Sequence, residues 1–203
     1  MDHRQFLTTD ITHNTTIDYT TMPLFLLVSI ILAIFCLLLA GMFFQLSRGN
    51  LTDVAPAWPR KPIAPGVAVG AVCLVWSAYY GCLMLEGNLA KFHSIVWALV
   101  PITIALSIFY LDYLNSRAFG GFFTLSANFL IIKAFVHDVP GRPFFSCICL
   151  ALGIFGMVSL SLPWRIRDLI ELGGKNKTLA QALSAVFALC GIVLIIMPIF
   201  SRQ

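Results

Sequence analysis

Charge is scarce in this chain. Asp, Glu, Lys and Arg make up only 11% of its 203 residues, whereas 59% are hydrophobic, and the mean hydropathy is +0.90. A soluble domain carries about 25% charged residues, so this composition excludes the soluble class and indicates a chain that lies mostly in lipid. The formal net charge of +4 is too small and too dispersed for a nucleic-acid-binding face. We therefore predict an integral membrane protein that binds no nucleic acid.

Motifs for catalysis and for tight metal binding are absent from the sequence. There is no Gly-x-Ser-x-Gly, no His-Glu-x-x-His and no phosphate-binding Walker loop. No Cys-x-x-Cys pair occurs, and every cysteine lies inside an apolar segment, where it acts as a small hydrophobe. We predict that the protein is not an enzyme and that it has no cofactor, although bound lipid is compatible with the sequence.

The sequence contains several long apolar segments. Each is close to the length of about 20 residues that a helix needs to cross the hydrocarbon core. We predict an all-α integral membrane protein, a compact bundle of about six transmembrane helices in residues 22–203, after a polar and flexible tail at residues 1–21. The predicted spans are 23–46, 63–85, 94–111, 118–137, 144–163 and 178–200.

A short amphipathic segment separates the fifth and sixth predicted spans. At residues 164–172 apolar side chains repeat at helical spacing opposite charged ones, which predicts a helix lying at the membrane interface. Its candidate ligands for lipid headgroups are Trp164, Arg165 and Arg167, because anionic headgroups attract each basic residue near the surface by about 1 kcal/mol. The same residues also fit a simple anchor on the positively charged side of the membrane.

The fourth span is the most polar of the six. On a helix, Arg117, Gly121, Thr124, Asn128 and Phe135 share one side, whereas Ser126, Lys133 and His137 share the other. Unpaired polar groups in hydrocarbon cost several kcal/mol. We therefore predict that this span is central and has protein neighbours on both sides.

Two sets of polar residues are candidates for a functional site. The transport or polar-core candidates are Arg117, Thr124, Asn128, Lys133, His137 and Asp138. The candidates for a metal or proton site on the outer side are Glu86, His93, His137 and Asp138, because imidazole and carboxylate groups together bind zinc or copper or relay protons. The sequence indicates no particular metal, and ordinary interfacial residues are the alternative. We expect Asp112 and Arg117 to form a salt bridge, with gating as the alternative.

The basic residues are distributed unevenly between the two predicted sides of the membrane. One side receives Arg48, Arg60, Lys61, Arg117, Arg165, Arg167, Lys175 and Lys177, and the other receives Arg4, Lys91, Lys133, Arg142 and Arg202. Because cytoplasmic loops are enriched in Lys and Arg, we predict that both termini lie outside the cytoplasm, in a bacterial cytoplasmic membrane.

The loops are too short to form a soluble domain, and most spans carry a stripe of small residues that favours close helix packing. We predict a non-catalytic accessory or structural subunit of a larger membrane complex, in contact with membrane lipids and with other membrane protein subunits. The alternative is a small channel or carrier for an ion, a proton or a small solute that uses the polar faces of the fourth span.

Overall fold

The chain folds into helices in every part that the computed structural model describes, which comprises residues 3–49, 63–85, 91–110, 114–136 and 141–200. The helices are α1 (His3–Ser47), α2 (Ile63–Met84), α3 (His93–Tyr110), α4 (Leu114–Val136), α5 (Arg142–Ser161), α6 (Pro163–Lys175) and α7 (Lys177–Phe200). The predicted fold class, an all-α bundle of membrane-spanning helices, is confirmed.

Five of the described helices are long and apolar enough to cross a membrane. These stretches are Met22–Ser47, Pro65–Met84, Leu114–Val136, Arg142–Ser161 and Lys177–Phe200. The remaining predicted crossing corresponds to α3, whose described apolar part, His93–Ser107, is shorter. Helix α1 begins at His3, well before its apolar stretch. The flexible tail at residues 1–21 stays a prediction.

Two antiparallel helix pairs form most of the bundle. In the first pair, Ser29 near the start of the α1 stretch donates a hydrogen bond to the carbonyl of Leu194 near the end of α7. Ser184 Oγ near the start of α7 donates to the Ala40 carbonyl at 2.8 Å. In the second pair, α4 and α5 run in opposite directions, because Ser116 near the start of α4 bonds to Ser159 near the end of α5.

Helix α4 holds the pairs together. It contacts α1, α2, α5 and α6. Its neighbour α2 runs parallel to it, since Gly66 lies against Asn115 and, further along both helices, the ring of Trp76 lies 5.8 Å from that of Phe129. The predicted central position of the fourth span is therefore correct. Helix α3 packs chiefly on α2 and stands at the edge of the bundle.

The helix directions define two ends of the bundle. One end, which we call the α6 end, contains the C-terminal end of α1, the N-terminal ends of α2 and α4, and α6 itself, whose buried Gly173 lies against Phe43 and Leu46 of α1. The opposite end contains the start of the apolar stretch of α1 and the C-terminal end of α7. Helix α6 was predicted at residues 164–172 and is one turn longer; its apolar Ile170 is buried, whereas Trp164 is exposed. The predicted amphipathic helix is therefore confirmed.

Candidate functional site

The two polar sides of α4 have different surroundings. Ser126 is buried and Lys133 is half-buried, so one side faces the bundle. On the other side Arg117 is half-buried, and Asn128 and Phe135 are exposed. We predicted that protein neighbours cover both sides of α4. Among the described residues this is wrong for the side that contains Asn128 and Phe135.

The position of the exposed side follows from the contacts of α4. Ala118 and Phe122 lie against α2, and Gly120 and Ala127 lie against α5. At 100° per residue, Asn128 falls between these two contact lines. The exposed side of α4 therefore lies in the gap between α2 and α5, and neither helix covers it.

Glycine brings the backbones of α4 and α5 into direct contact. A Cβ atom placed on Gly156 would lie 2.7 Å from the carbonyl oxygen of Gly120, and one placed on Gly120 would lie 2.7 Å from the carbonyl oxygen of Gly156. Thr124, a transport candidate, takes part in this interface and donates its hydroxyl hydrogen to the Gly120 carbonyl at 2.9 Å. Its hydroxyl group is therefore already satisfied within its own helix.

Two buried serines link the same helices at the α6 end. Ser159 Oγ donates to the carbonyl oxygen of Ser116 at 3.0 Å, and the two Oγ atoms lie 3.1 Å apart. This pair was not among the candidates from the sequence. The spacing of Ser116, Gly120 and Thr124 at intervals of four residues is the signal that could have indicated it, since small residues at this spacing mark helix contacts in membranes.

We expect the Ser116 and Ser159 hydroxyls to be energetically coupled. Each single substitution to Ala should lower the free energy of unfolding by about 0.6–1.7 kcal/mol, the range for hydrogen bonds between membrane helices. The double substitution should cost less than the sum, because either one removes the contact between the two Oγ atoms. Unfolding titrations in mixed micelles of the single and double variants measure this coupling. Ser107→Ala is a suitable control, since the Ser107 hydroxyl bonds only to Thr103 in its own helix. Strictly additive losses would contradict the expectation.

Asn128 lies deep in the apolar part of the bundle. It is 14 residues from the start of α4 and 8 from the end, which places it about 21 Å and about 12 Å from the two helix ends at about 1.5 Å per residue. The hydrocarbon core is about 30 Å thick. If α4 crosses the membrane, the exposed Asn128 therefore lies within the hydrocarbon core.

Two cavities open among the described helices. The first, which we call the Arg117 cleft, has a volume of about 200 Å³ and lies between α2, α3 and α4, with Arg117 and Gly121 in its wall. The second, of about 370 Å³, lies between α1, α4, α5 and α6 and is lined mainly by aromatic and aliphatic side chains such as Phe119 and Phe155. Thr124, Asn128 and Lys133 line neither cavity, so the structure does not bring them together around a common space.

The candidate metal site is only partly within the described residues. Glu86, His137 and Asp138 lie outside them. His93 Nε2 lies 2.8 Å from the Leu85 carbonyl oxygen, to which it donates a hydrogen bond that joins the start of α3 to the end of α2. Within the described ranges no three His, Cys, Asp or Glu side chains are grouped as metal ligands. The outer metal or proton site stays a prediction.

The lipid-headgroup candidates lie on α6 in two different states. Trp164 and Arg165 are exposed, and their role as ligands for headgroups stays a prediction. Arg167 forms an ion pair with Glu171, with 2.7 Å between Nε and Oε1. Such an exposed pair one turn apart contributes only about 0.3–0.5 kcal/mol, so a lipid phosphate can replace the carboxylate. Asp112, the predicted partner of Arg117, lies outside the described residues.

Comparison of the chain with models of known protein families, with curated proteins and with solved structures finds no match. The chain's own residues therefore carry the functional argument. The strongest of them is Asn128, because its position is unfavourable in lipid alone.

Proposed function

We propose that this multi-pass membrane protein is a non-catalytic subunit of a larger membrane complex. Another membrane protein then covers the exposed side of α4, a surface formed by Gly121, Asn128, Ile132 and Phe135 that we call the Asn128 face. The exposure of Asn128 is the observation that supports this proposal most strongly. A carboxamide without a partner in hydrocarbon costs several kcal/mol, and a polar group on a neighbouring protein removes that cost.

The rest of the Asn128 face suits contact with a helix. Gly121 has only the Leu160 side chain near its Cα, so its surface is open and low. Small residues and residues that can form hydrogen bonds are both common in helix contacts in membranes. Ile132 and Phe135 are 55% and 58% exposed and add apolar area on the same side. The face therefore offers close approach, one polar anchor and apolar contact.

A structural role also fits the way in which four serine hydroxyl groups at helix contacts are used. Ser29, Ser116, Ser159 and Ser184 all bond across helix contacts. A serine nucleophile needs a base within hydrogen-bond distance, whereas these hydroxyls donate to backbone carbonyls or to each other. We accordingly propose no catalytic role for them.

The charge distribution supports a cytoplasmic location for the α6 end. Among the described residues, that end carries Arg48, Arg117, Arg165, Arg167, Lys175 and Lys177, and the opposite end carries Lys91, Lys133 and Arg142. Basic residues accumulate on the cytoplasmic side. On this basis the start of the α1 stretch and the end of α7 face outward.

The alternative function is a small channel or carrier. In that case the Asn128 faces of two or more copies would line a path, since Thr124, Asn128 and Lys133 line neither of the two cavities described above. Purified protein in liposomes would then carry ion or proton flux, and an absence of flux would dismiss this alternative.

Asn128→Leu is expected to release the partner protein. The full chain, tagged and expressed in its own host, is purified in mild detergent, and we expect companion polypeptides at fixed stoichiometry. The substitution removes the polar anchor but keeps the side-chain size, and we expect the affinity to fall by about tenfold or more, the equivalent of about 1.4 kcal/mol. Quantitative mass spectrometry of the purified material measures the ratio of companion to tagged chain.

Asn176→Leu is the matched control, because Asn176 is an exposed asparagine in the short link between α6 and α7. It should keep the companions at the level of the parent protein. A parent protein that purifies as a single monodisperse chain, or an Asn128→Leu variant that keeps its companions, would overturn the subunit proposal. If the released companion is a second copy of this chain, the protein is a self-associating one and not a subunit of a mixed complex.

A further inference from the structure

The Arg117 cleft combines one cation with an apolar wall. Its floor is a strip of small residues on α2, namely Gly66, Gly70, Ala71 and Cys73, and its sides come from α3 and α4. Gly66 and Gly70 lie against Asn115 and Ala118 of α4, so the open space lies beside that contact, towards α3. A volume of about 200 Å³ accommodates a segment of hydrocarbon chain but no large polar ligand.

Other polar groups in the wall of the cleft are already satisfied. The hydroxyls of Thr103 and Ser107 donate to carbonyls of their own helix, each at 2.7 Å. Arg117 differs, because its Nε atom is buried and has no hydrogen-bond partner among the described residues. No Asp or Glu belongs to the described lining of the cleft. The guanidinium group therefore lies beside an apolar space with no anion from the described lining.

We propose that the Arg117 cleft binds an anionic phospholipid, with the phosphate at Arg117 and part of one acyl chain against Ala71 and Leu74 of α2. Guanidinium binds phosphate through short, charge-assisted hydrogen bonds that are often paired. Arg117 is in the first turn of α4, where the backbone N–H groups and the helix dipole also favour an anion. An apolar wall below a single cation matches the two parts of a phospholipid.

The depth and position of the cleft also favour a lipid. Arg117 lies within one turn of the α6 end of the bundle, which is the level of headgroups if α4 crosses the membrane. Leu160, which lines the cleft, is substantially exposed, which is the surface expected beside lipid. Helix α3 packs chiefly on α2, so an acyl chain in the cleft fills the gap between α3 and α4. The lipid then acts as packing material for α3.

Native mass spectrometry tests this proposal. Full-length protein is stripped of lipid in detergent and titrated with dioleoyl phosphatidylglycerol or with dioleoyl phosphatidylcholine. We expect the first phosphatidylglycerol to bind about tenfold more tightly than phosphatidylcholine, because both carry the phosphate but the choline cation of phosphatidylcholine offsets its charge and is repelled by Arg117. Arg117→Gln should abolish this preference, and Ala71→Phe, which fills the cleft but keeps the charge, should weaken binding of both lipids. Arg165→Gln, the control on the exposed surface of α6, should leave the preference unchanged.

Several results would overturn the proposal. Equal preference in Arg117→Gln and the parent protein, or equal loss in Arg165→Gln, would show that surface charge alone attracts the lipid. Displacement of phosphatidylglycerol by millimolar inorganic phosphate would indicate a site for free anions. A preference for phosphatidylglycerol that appears only in the Asp112→Asn variant would show that Asp112 forms an ion pair with Arg117 and excludes the lipid phosphate. If Arg117→Gln does not fold, Arg117→Lys, which keeps the charge without the paired hydrogen bonds, replaces it, and an undiminished preference there would count against the geometry.

Discussion

Gly156→Leu is expected to prevent the bundle from assembling. The first side-chain atom would lie 2.7 Å from the Gly120 carbonyl oxygen and 2.9 Å from Phe123 Cβ. Both belong to a helix whose other contacts hold it in place, so neither can move without shifting α4 as a whole. A leucine adds three further carbon atoms at the same point. Helix α4 contacts four other helices, and its most extensive contact is with α5. Loss of the α4–α5 contact therefore removes the main support of the central helix.

The smaller change Gly156→Ala allows the effect to be measured. Overpacking costs about 1–3 kcal/mol. We expect a loss of unfolding free energy at the upper end of this range, because the added methyl group meets backbone atoms, which cannot move aside as a side chain can. Gly81→Ala and Gly41→Ala are matched controls, since no other atom lies within 4 Å of a Cβ at either position. Alanine is favoured over glycine in a helix by about 1 kcal/mol. The two controls should therefore be neutral or stabilising, opposite in sign to Gly156→Ala.

Buried thiols report the unfolding of these variants. Cys36, Cys73 and Cys149 are buried, so a fluorescent maleimide reacts with them only when the bundle opens. In a chain of this size about 1 kcal/mol corresponds to about 2–4 °C in melting temperature. A melting temperature of Gly156→Ala at or above that of the parent protein would refute the close contact.

The small-residue pattern allowed the packing faces to be predicted, but not the part of each face that is used. On α2, Gly66, Gly70 and Gly81 share one side. Gly66 and Gly70 lie against α4, whereas among the described residues no neighbouring atom lies within 4 Å of a Cβ placed on Gly81. On α3 the corresponding stripe, which includes Ala98 and Ala105, is exposed. Spacing identifies a face of a helix, and it contains no information about where a neighbour crosses it.

The candidate residues on the fourth span were predictable as polar, but their partners were not. Ser126 is covered by the bundle and Asn128 is not, although both are polar residues on the same helix. A polar side chain in lipid needs a hydrogen-bond partner, and that partner can belong to this chain or to another protein. The sequence therefore does not indicate which of the two supplies it. The serine pair Ser116 and Ser159 was missed because a serine on a small-residue stripe is equally suited to close packing and to hydrogen bonding.

Gly66→Leu is expected to separate α2 and α3 from the rest of the bundle. A Cβ at Gly66 would lie 3.0 Å from the backbone nitrogen of Asn115 and 3.1 Å from its Cα, so a leucine meets the backbone at the start of α4. Helix α3 is attached chiefly through α2 and should leave with it. The contacts among α1, α4, α5 and α7 do not involve α2 and should persist, so we expect partial and not global unfolding.

Two single-cysteine versions distinguish partial from global unfolding. Cys73 is at the α2–α4 contact, where its Sγ lies 3.9 Å from the Ala118 carbonyl oxygen, whereas Cys36 is buried on α1. In the parent protein both thiols should become reactive at one temperature. In Gly66→Leu, Cys73 should react well before Cys36, by more than about 6 °C if the contact loses about 3 kcal/mol. Gly81→Leu, the same change on the same helix, should leave the two temperatures together. Simultaneous exposure of both thiols in Gly66→Leu would mean that α2 is an inseparable part of the central bundle.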